Sequence, residues 1–94
     1  MTRLVLSPQA ARDLEDIGDY IARDNPVRAI SFVKELRVEC QRILFAPTVY
    51  PPREAVGAGI RMAMHGRYLI FFRATEDEVR IERVLHSARQ RPRL

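Results

Sequence analysis

The chain has 94 residues, 47% of them hydrophobic and 30% charged, with a net charge of +4. That length makes one domain, 1–94, which buries only about 60–65% of the surface its unfolded form exposes; the composition is that of a globular protein and does not indicate disorder. No apolar run nears the roughly 18–20 residues of a membrane span, MTRLVLSPQA is too short in its apolar part for a signal peptide, and the single cysteine, Cys40, has no internal disulfide partner, so a soluble cytoplasmic protein is expected.

RLVL (3–6), closed by Ser-Pro, predicts a strand. Ser7 is placed to cap a helix and Pro8 suits its first turn, where a missing N–H costs nothing. Ala10, Leu14, Ile17 and Ile21 then follow helical spacing to about Ala22, with Arg12, Asp13, Glu15, Asp16 and Asp19 expected on a solvated outer face. Asn25 and Pro26 repeat the start signal. The second helix carries a stripe of Ala29, Phe32, Val33, Leu36, Cys40, Ile43 and Leu44, and Pro47 ends it. So short a link between two amphipathic helices predicts an antiparallel hairpin.

TVYPPREAVGAG (48–59) predicts a surface loop. IRMAM (60–64) alternates, with Ile60, Met62 and Met64 on one side; HGR (65–67) is a turn signal. YLIFF (68–72) is apolar on both faces and predicts a central strand, and VRIERVL (79–85) is the last strand. The order β-α-α-β-β-β is an α+β fold: an N-terminal strand, an antiparallel helical hairpin, then three antiparallel strands. One irregularity stands out. Val79, Ile81 and Arg83 share a face by simple alternation, whereas Val84 falls with Arg80 and Glu82. Either a bulge shifts the register near Glu82–Val84, or Arg83 points into a polar cleft where it has a partner or a job.

Residues 1–59 hold eight basic and eight acidic residues, and residues 60–94 hold eight basic and four acidic. The C-terminal part therefore carries the whole excess and is expected to meet something anionic, nucleic acid or an acidic protein segment. Fifteen of the sixteen basic residues are Arg, which suits bidentate recognition of phosphate and carboxylate but is equally what a GC-rich genome produces. Metal sites are not indicated, with one Cys and two distant His. GAG (57–59) precedes a strand and makes no phosphate loop, and Cys40 belongs to the helical stripe as a core residue. What remains is a set of Arg53, Arg61, His65, Arg67, Arg83, His86 and Arg89. Such a set could cleave RNA without a metal, with His moving a proton and Arg stabilising the phosphorane, or bind an anionic surface without reacting. His65, before Gly66, reads as a turn residue.

LSPQAARDLEDIGDYIARDNPVRAISFVKEL (6–36), FAPTVYPPREAVGAGIRMAMHGRYLIFF (45–72) and VRIERVLHSARQ (79–90) together resemble the RelE/ParE superfamily of toxins from bacterial type II toxin–antitoxin systems. The helix with DL..I..YI.RDNP, the helix with A..FV.EL and the ending I.RVLHSAR resemble its ParE branch. The resemblance implies a toxin that arrests growth when free and is silenced by a cognate, ParD-like antitoxin, touching operator DNA only through that antitoxin. ParE-like members imply poisoning of DNA gyrase, with Arg61, Arg83, His86 and Arg89 as target-binding residues. RelE-like members imply metal-independent mRNA cleavage on the ribosome, for which Arg61, Arg83 and His86 would be catalytic. Arg61 and Arg83 match the arginine positions of that branch. No Tyr follows Tyr68, however, and the loop offers Arg53 and Glu54 instead of lysines, so the resemblance favours the gyrase reading. A member retained only to bind its antitoxin is a third reading. None of the three implies a cofactor, a metal or a membrane.

Overall fold

Both helices begin where their capping residues stand. Ser7 Oγ accepts the Ala10 N–H at 2.9 Å and donates to the Glu82 carbonyl at 2.7 Å, so one hydroxyl caps a helix and ties it to the sheet. Asn25 Oδ1 accepts the Arg28 N–H at 3.0 Å, with Pro26 following in the first turn. The computed structural model describes residues 2–89 and 92–94. Strand β1 (Arg3–Leu6) leads into α1 (Pro8–Ala22) and α2 (Pro26–Phe45), and a short 3-10 turn (Pro47–Val49) opens the long loop. Strands β2 (Arg61–His65), β3 (Tyr68–Ala74) and β4 (Glu78–His86) follow.

The sheet order is β1-β4-β3-β2. The last three strands pair antiparallel, as expected, and β1 pairs in parallel with β4, Leu4 opposite Val79 and Leu6 opposite Ile81. The β2–β3 hairpin turns on Gly66 and Arg67. Gly66 is the first central residue, at φ 57°, the pattern of a II′ turn whose twist matches the strands.

The apolar pattern of β3 follows from its position between β2 and β4. Ile70 and Phe72 enter the main core beneath the helices, with Leu14, Leu36 and Ile43, while Leu69 and Phe71 enter a second core on the other face. Ile60 and Met62 supply much of that second core, and Val56 joins them from the loop expected on the surface, which thus buries one of its residues against the sheet. Leu94 packs over it. Its N–H donates to the Val56 carbonyl at 2.7 Å, and its carbonyl accepts from Arg73 at 2.8 Å.

Three sequence expectations need correction. Met64 does not join Ile60 and Met62 in the second core; it is exposed. The α2 stripe holds a buried carboxylate, Glu39, which accepts the Tyr50 hydroxyl at 2.9 Å; Val33 and Leu44 are only half-buried. Asp13 is not on a solvated face. It is 7% exposed, whereas Arg12, Glu15, Asp16 and Asp19 are exposed as expected.

Candidate functional site

The irregular end of β4 organises the site. Phe72 pairs with Ile81 and Phe71 with Arg83, so Glu82 is the extra residue of a β-bulge. The bulge returns Val84 to the main core beside Ile81 and puts Leu85 in the second core. Arg83 also has its partner. Its Nε and Nη2 donate to the two carboxylate oxygens of Asp13 at 2.8 and 3.0 Å, and the Val84 N–H donates to the same carboxylate at 2.9 Å. The hydrogen bonds to Asp13 hold Arg83 above its ordinary pKa. The bulge is thus the reading realised, and the charge beside it has its partner in Asp13 of α1.

Past the bulge, His65, Tyr68 and His86 stand in one cross-strand row at the end of the sheet. Tyr68 meets the His86 ring edge-on at 5.2 Å between centroids and Phe32 at 5.4 Å; Phe32 in turn lies 5.5 Å from His65. His65 is more than a turn residue. Its Nε2 lies 2.9 Å from Glu35, whose other oxygen accepts from Arg28, and the Arg28 guanidinium stacks over Phe32. Arg28 first, and His65 second, draw the Glu35 carboxyl down to about 2. Burial pushes the Tyr68 hydroxyl up, with Tyr20 adding to the shift and Arg89 opposing it. Tyr68 thus stays a neutral hydrogen-bond donor at any physiological pH.

A groove of about 940 Å³ opens between this row and α1. Its floor is apolar and aromatic, including Ile17, Phe32 and Tyr68. Asp16, Asp19 and the exposed Tyr20 line the helical side; Arg67, His86 and Arg89 line the strand side.

The predicted residues divide accordingly. His86 and Arg89 lie together in the groove. Arg83 is not among the groove residues; its guanidinium is held by Asp13. Arg61 is elsewhere: it pairs with Phe72 at the opposite end of β2 from His65, four residues or about 13 Å along the strand, and it donates to the Tyr50 carbonyl at 2.7 Å. Arg53 donates to the Pro52 carbonyl. Gln90 and Arg91, in the basic ending, lie outside the described residues. Among the described residues no group of three or more His, Cys, Asp or Glu is placed to hold a metal. Sequence reasoning missed Tyr20, Tyr68, Asp16 and Asp19 as groove residues. Helical spacing puts Asp16, Asp19 and Tyr20 on neighbouring positions of α1, but nothing local says what faces them.

A helical hairpin on a four-stranded, mostly antiparallel sheet, with a charged groove at one end, is the α+β fold of the RelE/ParE-like toxins. The chain superposes on a structure described as "Chromosomal ParDE TA system from P. aeruginosa" with TM-score 0.79, at 21% identity over 92% of this chain and 96% of that one. It superposes on YafQ from E. coli strain BL21(DE3) with TM-score 0.57, at 20% identity over 94% and 96% of the two chains. At such identities these likenesses describe the fold. The family follows from sequence: the model for the "ParE toxin of type II toxin-antitoxin system, parDE" matches residues 4–91. Toxin ParE1 of Caulobacter vibrioides is 33% identical over 84 residues, 88% of this chain and 86% of that protein. The chain belongs to the ParE toxin family of type II toxin–antitoxin systems. Membership implies an antitoxin partner.

Proposed function

We propose that this chain arrests growth in the cytoplasm by inhibiting DNA gyrase, acting as a binding protein with no chemistry of its own and neutralised by a cognate ParD-like antitoxin. The reading rests on membership of the ParE branch, to which gyrase poisoning is attributed. The observation that carries it against the nuclease alternative is the commitment of two arginines. Arg61 is bonded to the Tyr50 carbonyl and lies at the opposite end of β2 from the His65–Tyr68–His86 row, and Arg83 is bonded at two points to Asp13. A nuclease would need both guanidinium groups free to meet one phosphate beside His86. His86 and Arg89, by contrast, stand on an accessible groove where a partner can reach them.

The test is a supercoiling assay with purified gyrase, ATP and relaxed plasmid, with and without the antitoxin. Accumulation of linear, gyrase-linked DNA that the antitoxin suppresses is the expected result. Unaffected gyrase, together with cleavage of mRNA on programmed ribosomes, would replace this reading with the ribonuclease one.

A further inference from the structure

The groove carries charge of both signs. On the helical side Asp16 and Asp19 are exposed, with Arg23 at the end of α1 and Arg28 held by Glu35; on the strand side stand Arg67, His86 and Arg89. Among the described residues Asp16, Asp19, Arg23, Arg67 and Arg89 have no opposite charge within 4.0 Å, although most other arginines of the sheet and of α2 are paired or bonded to backbone. Side chains this long could close an ion pair on a flat surface. Here the groove keeps them apart, over a floor that is apolar and aromatic.

A polyanion fits such a groove poorly, because phosphates drawn to Arg67 and Arg89 would run beside two carboxylates. A polypeptide fits it well. An amphipathic segment with an apolar ridge on Tyr68, basic residues toward Asp16 and Asp19, and acidic residues toward Arg23, Arg67 and Arg89 meets charge of both signs. We infer that this groove is the toxin's target-binding surface and that its occupant is an amphipathic protein segment of mixed charge, not nucleic acid. The inference deepens the gyrase reading and rests on it only for the target's name: on a gyrase–DNA complex, the groove would grip protein.

The two kinds of occupant respond oppositely to charge reversal, which makes the test decisive. Asp19→Arg and Arg89→Glu are induced separately in a bacterial host, and growth arrest is measured per amount of toxin. Arg12→Glu, an exposed change on α1 outside the groove, controls for net charge, and melting curves of the purified variants check folding. The milder Asp19→Asn and Arg89→Gln stand in for any reversal that fails to fold. Each reversal should weaken arrest on the order of tenfold or more, since like charges meet across the contact, while Arg12→Glu leaves it unchanged.

If Arg89→Glu weakens arrest and Asp19→Arg strengthens it, the occupant is nucleic acid and the inference fails. It also fails if neither changes potency. The supercoiling assay, run on the same variants, separates this from the gyrase reading. Loss of arrest by both reversals while gyrase ignores even the unmodified protein would keep the groove and discard the target.

Discussion

Arg83 and Asp13, seventy residues apart, meet in a two-point contact of 2.8 and 3.0 Å that fastens the β4 bulge to α1. Asp13 has 9% of its side chain exposed and Arg83 23%, so the pair is largely shielded from water. Removing one partner of such a pair leaves an uncompensated charge, which costs more than the pair itself contributes. Asp13→Ala should therefore destabilise the fold by about 3 kcal/mol, seen as a lower urea midpoint at unchanged slope. Arg83→Met should cost less, because Asp13 keeps the Val84 N–H. Equal, negligible losses would mean that the bulge holds without α1.

The Arg28–Glu35–His65 cluster gives stability a pH dependence. Glu35 titrates at about 2 in the folded chain against an ordinary 4.5. A depressed carboxylate contributes stability fully above its unfolded pKa and loses it as pH falls through the folded one. The difference in melting temperature between the unmodified chain and Glu35→Gln should therefore hold steady down to about pH 5, then shrink between about 4.5 and 2. The pair is solvent-exposed, so 1 M salt should compress that difference throughout. A gap that widened toward low pH would contradict the sign.

Gly57 makes room for Leu94. A Cβ at Gly57 would collide with the Leu94 carbonyl and come 3.0 Å from the Arg73 guanidinium. Gly57→Ala should expel Leu94 from the second core, breaking the Leu94–Val56 and Arg73–Leu94 hydrogen bonds. A loss of about 1–2 kcal/mol is expected, with faster hydrogen exchange at the Leu94 amide as its local signature. Unchanged exchange there would show that the backbone shifts to keep the contact.

His86→Ala separates binding from catalysis. Its ring touches Tyr68 and its Nδ1 accepts the Ala88 N–H at 3.1 Å. As one contact in a binding surface it is worth about 1–2 kcal/mol, so gyrase inhibition should fall by about five- to thirtyfold. As a proton-transfer group in a nuclease its loss would remove about 10²–10⁴-fold. Titration against gyrase, beside a ribosomal cleavage assay, reads the difference directly.

Local chemistry alone specified much of this molecule. Ser7-Pro8 and Asn25-Pro26 mark the helix starts because capping is settled within four residues of chain. YLIFF announces a central strand because apolar residues at every position need cover on both faces. The irregularity at Arg83 was visible as broken alternation, and the basic excess of residues 60–94 as a simple count.

Tertiary structure decided what those features do. Asp13 reads as one more exposed acid until β4 arrives beside it, and Arg83 then gains a bulge and a partner at once. Arg61 and His86 look like one site along the chain, yet strand register places them in rows four residues apart along β2. Asp16, Asp19, Arg67 and Arg89 come to line one groove only because the helical hairpin packs across the end of the sheet. Capping and alternation act between neighbours in sequence. Pairing, burial and the shape of a groove depend on residues that meet only after the chain has folded.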